Sequence, residues 1–369
     1  MVRLADAAGR ILVETLSARV RLPEHDCAAV DGYAVRVADL TGSGTGSLRV
    51  AGTVTAGAGV PGALPPGHCV AVMTGAPVPP GTEAVVPLEM TSRCEGDAVA
   101  ISVVPVPGSG IRRAGQEVRP GDVLARAGTP ADPLTLERLA GQGITEVSVP
   151  RRARVHVIAT GDELVAPGET PGPGQRVASN LPMLAALVHT CGGQVRWGLV
   201  AADDPGLLRR LLAISMAGDL VLAVGGTLRG SKDLTKAVLA DLGATFLFDG
   251  VAIRPGSSCA VATGGSATIV CLPGNPGAAF VGFAALARPL LRALHGWPEP
   301  IPALAARLAD PLEPAREETL LLAGVVQETA GHLEFRRDGQ GWPALGILPP
   351  SAGGEGQDRR ITVELLPQE

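Results

Sequence analysis

The sequence predicts an α/β multidomain protein: a three-layer, doubly wound α/β domain joined to small β domains. Three observations predict it. At 369 residues the chain exceeds one ordinary core, so roughly two to four domains are expected. Residues 154–296 alternate strand-like and helix-like segments, the pattern of parallel strands joined by helical crossovers. Residues from Val30 to about Val104 read instead as short β-like runs broken by glycine and proline, the text of a small β domain.

Residues 1–24 suggest a short helix and an extended segment. Together with residues 123–153 they make a linker or helical domain around the small β domain of residues 25–122. A helix is expected from about Pro133 to Leu139, stopped at Gly141. In the α/β domain of residues 154–296 the expected order is strand 154–159, helix 181–191, strand 194–199, helix 205–217 and strand 219–224. Asp204 suits the N-cap of the second helix and Pro205 its first position, where a missing N–H costs nothing. A helix at about 233–242 follows, with Ser231 as cap and Gly243 as stop, then strands near 245–248 and 267–271 and a long helix at 277–294. Residues 297–369 read as a C-terminal β domain ending in RRITVELL.

Composition narrows the function. The net charge of −5, with both signs interspersed, gives no footprint for nucleic acid or an anionic membrane, and 2 % aromatics argues against base-stacking platforms. Gly 49 and Pro 32 are spread between apolar runs, which implies many turns rather than disorder. The six cysteines form no C-x-x-C pair, so reduced thiols in a cytosol are expected. The N-terminus carries Arg3, Asp6, Arg10 and Glu14 and does not read as a signal peptide. The longest apolar stretch is interrupted by Arg288 and reads as a buried helix. A soluble cytoplasmic protein is expected.

Four loops concentrate the chemistry. Thr160-Gly161-Asp162-Glu163-Leu164, Asp203-Asp204, Gly225-Gly226 through Gly230 to Asp233, and Leu272-Pro273-Gly274-Asn275-Pro276 each follow a predicted strand. In an open α/β sheet such loops converge on one crevice beyond the carboxyl ends, where ligands bind. Adjacent carboxylates there can hold Mg²⁺ through oxygen, although turn capping explains Asp162 equally well and helix capping explains Asp204. Asp233 has a helix-dipole explanation beside its functional one. The chain has two lysines against 29 arginines, and both, Lys232 and Lys236, lie in or just after the third loop, where they can neutralise an anion. The fourth loop either shapes a pocket wall or is a plain strand-to-helix turn. In the small β domain Asp26, Asp31 and Thr74 stand out in apolar text, with turn capping as the alternative. The phrase GAGVPG matches a dinucleotide fingerprint only in letters, because Pro61 and Pro65-Pro66 prevent the required helix. No G-x-S-x-G elbow and no histidine metal spacing occur.

In this order, the segments DCAAVDGYAV, VMTGAPVPPGTEAVVPLE, IRRAGQEVRPGDVL, ATGDEL-x-x-PG, PGPGQ-x-x-x-SN, GG-x-x-x-G-x-x-D and LPGNP resemble the molybdopterin molybdenumtransferase family, the MoeA-like proteins and the gephyrin E domain, from about Gly9 to Gly296. The resemblance implies an elongated homodimer of four-domain subunits whose α/β domain binds the pterin. It implies insertion of molybdenum from molybdate into adenylylated molybdopterin, with Mg²⁺ and release of AMP. The catalytic positions carried over are Asp31, Thr74, Glu117, Glu163, Asp203 and Asp233, of which Glu163, Asp203 and Asp233 would hold the metal. Positions implied for the pterin and its anions are Gly161, Asp162, Gly225, Gly226, Gly230, Lys232, Lys236, Arg254, Pro273, Gly274, Asn275 and Pro276. A pterin adenylyltransferase and molybdoenzyme maturation proteins are the implied partners.

The chain departs from the family pattern at anion-binding positions. Gly250 and Ser257 stand where lysines are usual, Arg254 replaces a lysine, and Ala178 replaces the aspartate of the D-[ST]-N phrase. The loop SGGVSVG reads VGGTLRG, and the last 70 or so residues match poorly, with Trp342 near an expected serine. The rival expectation is therefore a weakened paralogue that holds molybdopterin or a cofactor-loaded partner without inserting metal.

Overall fold

The computed structural model describes residues 1–40, 46–94, 96–225, 234–297, 301–309, 318–338, 340–349 and 360–365. These form two compact units: one of residues 2–8 and 14–147, the other of Met1, residues 9–13 and 148–369.

The first unit is built on a six-stranded mixed sheet in the order Ala84–Pro87, Gly32–Val35, His68–Val72, Gly46–Val54, Ala98–Ile101, Thr91–Arg93. Both of its faces are buried, and the two-residue period of a strand sorts them. Tyr33, Val35, Cys69, Ala84 and Val86 enter one core, while Ala34, Val70, Val72 and Val85 enter the other. The strands approach closely at Gly32, where a Cβ would meet Val86 O at 2.1 Å. A helix at Pro133–Gly141 starts as the sequence suggests. The Asp132 side chain accepts from Thr135 N–H at 2.7 Å, and Pro133 occupies the first turn.

In the second unit we number β1 (Arg154–Thr160), α1 (Asn180–Thr190), β2 (Gln194–Ala201), α2 (Pro205–Ser215), β3 (Leu220–Val224), α3 (Leu234–Asp241), β4 (Thr245–Asp249), β5 (Ala260–Gly264), β6 (Ala267–Leu272), α4 (Pro276–Gly282) and α5 (Arg288–Leu294). The sheet order is β2-β1-β3-β6-β5-β4. Strands β2, β1, β3 and β6 are parallel, and β5 and β4 extend the sheet antiparallel. Helices cover both faces. Val155, Val157, Leu222 and Val270 pack with Leu184, Val188, Phe283 and Leu291, while Ile158, Val221, Ala223 and Ile269 pack with Leu208, Leu212 and Leu239. All five residues of β3 are buried, as a central strand of a three-layer sandwich requires.

The sandwich differs from the sequence expectation chiefly in two ways. Strand β5 was not anticipated: its five residues lie between glycine-rich turns and return antiparallel to β6, so no crossover helix marks them. The expected single helix at 277–294 is divided by a π turn at Phe283–Ala287. Although this 19-residue run is long and apolar enough to cross a membrane, Phe283 and Leu291 bury it in the core of the sandwich. The Ser231 cap expected for α3 lies outside the described residues.

The C-terminal strands form a further six-stranded sheet. Thr319–Thr329, His332–Arg336, Ala303–Leu308, Arg360–Leu365 and Trp342–Leu348 close into a ring, because Thr319–Thr329 pairs with Trp342–Leu348 as well. Phe335, Val326 and Val363 fill its core. The strand Ile253–Arg254, from the connection between β4 and β5, pairs in parallel with Thr319 and Leu320 and so joins this sheet.

Candidate active site

After β1 the chain runs to its neighbour β2 on one side and then crosses to β3 on the other. The order of connection therefore reverses at β1, and this is where a doubly wound sheet opens a ligand crevice beyond its carboxyl ends. Three of the four loops singled out from sequence begin there.

The loops after β1 and β2 are bonded to each other. Thr160, the buried last residue of β1, donates its hydroxyl to Asp203 Oδ1 at 3.0 Å. Asp162 Oδ1 accepts the Asp203 N–H at 2.9 Å, and Gly161 N–H donates to Ala201 O at 3.1 Å. Asp204 caps α2, as expected, by accepting from Leu207 N–H at 2.5 Å, which leaves the neighbouring Asp203 carboxylate exposed for other work. Glu163 Oε1 accepts from Arg176 Nη2 at 2.7 Å, and Glu163 Oε2 would lie 2.5 Å from a Cβ placed on Gly161. Its carboxylate thus folds back over the start of its own loop.

The tips of β3 and β6 form a close-packed backbone floor. Gly225 has φ +92°, and a Cβ there would meet Thr160 O at 2.4 Å, so no other residue fits without movement. A Cβ on Gly274 would lie 3.6 Å from Gly225 Cα. Asn275 caps α4 by accepting from Ala278 N–H at 3.1 Å, and Pro276 occupies the first turn, so this phrase performs its helix-starting role in full. Pro273 is half-buried at the end of β6.

Lys236 donates to Asp249 Oδ1 at 2.5 Å, so its charge is already matched by a neighbouring carboxylate. Arg254 is exposed on the strand that joins the C-terminal sheet. Gly226, Gly230, Lys232 and Asp233 lie outside the described residues. Among the described residues no group of three or more His, Cys, Asp or Glu could hold a metal ion. Glu163 and Asp203 nevertheless present carboxylate oxygens, the hard donors Mg²⁺ takes, and Mg²⁺ commonly binds one or two carboxylates with the remaining positions left to water and phosphate.

The candidates of the first unit fall into a second group. Asp31 Oδ1 accepts from Thr74 N–H at 2.7 Å and from Thr74 Oγ1 at 2.8 Å. These two bonds, the backbone one first, hold the Asp31 carboxyl below the ordinary carboxylate range. The segment Cys27–Ala28 runs beside them, since Gly75 N–H donates to Ala28 O at 2.8 Å, and it pairs on its other side with Ile111–Arg112. Arg112 Nη1 lies 3.5 Å from Glu117 Oε1. Asp26 accepts from Ala114 N–H at 2.8 Å and Arg113 Nη1 at 2.6 Å; burial raises its carboxyl pKa, and these bonds outweigh burial to lower it.

Sequence reasoning passed over three residues that the structure brings to the crevice. In sequence Thr160 is only the first letter of the loop after β1, with no role of its own, and Arg176 is an unremarked letter in PGPGQ-x-x-x-SN. Asn180, buried at the start of α1, donates its amide to Gly274 O at 2.9 Å and so joins the loop after β6. The signal available in sequence was the SN phrase itself.

Comparison with known proteins identifies the family. Residues 1–143 match the MoeA N-terminal region (domain I and II), and residues 156–293 match a probable molybdopterin binding domain. The chain is 36 % identical over 365 residues to molybdopterin molybdenumtransferase 2 of Mycobacterium tuberculosis, covering 95 % of this chain and 86 % of the relative. It is 36 % identical over 303 residues to the molybdopterin molybdenumtransferase of Haemophilus influenzae, covering 81 % and 74 % respectively. A crystal structure of the molybdopterin biosynthesis MoeA protein from Pyrococcus horikoshii OT3 superimposes with a TM-score of 0.81 at 27 % identity, over 99 % of this chain and 93 % of that one. Matched at this identity over nearly its whole length, the chain belongs to the molybdopterin molybdenumtransferase family.

Proposed function

We propose that this protein inserts molybdenum from molybdate into adenylylated molybdopterin and releases AMP, a step of molybdenum cofactor biosynthesis. The observation that carries the reading is the bonding of the Asp203 loop to the Thr160–Glu163 loop at the crevice of a chain belonging to this family. Glu163 and Asp203, joined by Asp233 from the loop after β3, would hold Mg²⁺, which when bound would neutralise phosphate oxygens during cleavage of the phosphoanhydride.

The chain's own residues do the rest. Thr160 and Asp162 fix Asp203 before any ligand arrives, so its carboxylate is preorganised. Gly225 and Gly274 keep the floor free of side chains and let a flat heterocycle approach the backbone. Arg254, the exposed cation on the connection between β4 and β5, would bind an anion such as molybdate. In the first unit, Asp31 is held ionised by Thr74 and provides a preformed acceptor. The same reading expects a cytoplasmic homodimer that receives its substrate from the pterin adenylyltransferase and serves molybdoenzyme maturation proteins.

The test is an assay of AMP release from adenylylated molybdopterin with molybdate and Mg²⁺. Glu163→Ala should lower AMP release strongly and leave thermal stability nearly unchanged. Equal loss of both would make Glu163 structural, and wild-type protein without AMP release would favour a binding or scaffold role.

A further inference from the structure

Arg176 is fixed to Glu163 twice. Its guanidinium donates to the carboxylate at 2.7 Å, and its backbone N–H donates to Glu163 O at 2.8 Å. The short parallel pairing of Leu164–Val165 with Arg176–Val177 sets that register. The two side chains remain 61 % and 41 % exposed, open to solvent and to ligands. An exposed pair of this kind contributes little to fold stability, so stability is a poor account of a guanidinium parked on this particular carboxylate.

We propose that Arg176 is an anion-binding residue that exchanges partners. In the absence of metal it neutralises Glu163; when a divalent cation takes that carboxylate, the guanidinium turns to the phosphate of the nucleotide-bearing substrate. The inference rests on the reading of the site given above. Its logic is electrostatic. A guanidinium and a divalent cation competing for one carboxylate repel each other, and a phosphate entering between them relieves the repulsion, so cation and anion strengthen each other's binding. The planar guanidinium fork matches phosphate oxygens better than an ammonium does. Arg176 also adds a cation to a chain in which Gly250 and Ser257 stand in place of the lysines the family pattern leads one to expect.

Isothermal titration of the full chain with Mg²⁺ alone, AMP alone and AMP in saturating Mg²⁺ tests this, using wild type, Arg176→Gln and Arg176→Lys. In wild type, Mg²⁺ should tighten AMP binding. Arg176→Gln should bind AMP roughly tenfold more weakly, as loss of one charge-assisted hydrogen bond implies. It should also bind Mg²⁺ more tightly and lose the coupling, with unchanged thermal unfolding of the ligand-free protein. Arg176→Lys should recover part of the AMP affinity. If Arg176→Gln binds AMP as wild type does, or loses thermal stability while both affinities hold, Arg176 is a structural latch and this inference alone fails. Wild-type protein that binds neither Mg²⁺ nor AMP overturns the functional reading along with it.

Discussion

Thr160 and Asp203 are 43 residues apart in sequence, yet the hydroxyl of one donates to the carboxylate of the other at 3.0 Å, tying the last residue of β1 to the loop beyond β2. Because Thr160 is buried, this bond positions Asp203 without occupying the exposed side of its carboxylate.

Thr160→Val keeps the shape of the side chain and removes the donor. If Asp203 is a metal ligand, the loss of such a supporting bond should weaken Mg²⁺ affinity or AMP release by roughly 10–100-fold. The thermal midpoint should move little. Titration of Mg²⁺ into both proteins decides the matter, and equal affinities would remove Asp203 from the metal site.

Thr74→Val should raise the Asp31 pKa, since the side-chain bond from Thr74 is one of the two that hold it down. A carboxyl depressed in the folded state contributes stability above its unfolded pKa, and that contribution is lost as pH falls through the folded value. Weakening the depression should therefore move the acid limb of the activity profile to higher pH. Thr74→Ser should leave the limb in place. The carboxyl resonance of Asp31 in an NMR titration reports the shift directly.

Gly225→Ala places a methyl group against Thr160 O in a left-handed backbone conformation. Strain of that kind costs about 1–3 kcal/mol, with overpacking added to it. Urea unfolding should show a lower midpoint with an unchanged slope. A midpoint equal to wild type would mean that the floor of the crevice yields more easily than its packing suggests.

Arg288, buried on α5, pairs with Glu364 of the C-terminal sheet, and its Nε and Nη1 have no hydrogen-bond partner among the described residues. Removing one member of a buried pair strands the other charge, at about 3–5 kcal/mol. Glu364→Gln should be strongly destabilising in urea unfolding, while the double replacement Arg288→Met with Glu364→Leu should recover much of the loss. A double variant as unstable as the single one would show that packing, not the stranded charge, sets the penalty.

What the sequence made legible was local chemistry. Asp204 and Pro205 announce the start of α2 because capping needs only neighbours in the chain, and the same holds for Asp132 and Pro133. The regular alternation revealed the sandwich because burial on both faces imposes it on every strand. Strand β5 escaped, since a short antiparallel return has no helix to mark it. The site was legible as a list and not as contacts. Asp31 and Thr74 were each singled out, but only folding shows that one holds the other. Arg176 gave no signal because its significance lies in reaching Glu163, 13 residues away, and the pairing of Lys236 with Asp249, equally distant in sequence, was hidden for the same reason.

The strand Ile253–Arg254 pairs with Thr319 and Leu320, although the segment that carries it leaves and re-enters the α/β sheet between β4 and β5. The ring of C-terminal strands is thereby a splint for an exposed arginine. Trimming it off as a dispensable tail would leave that arginine without its anchor.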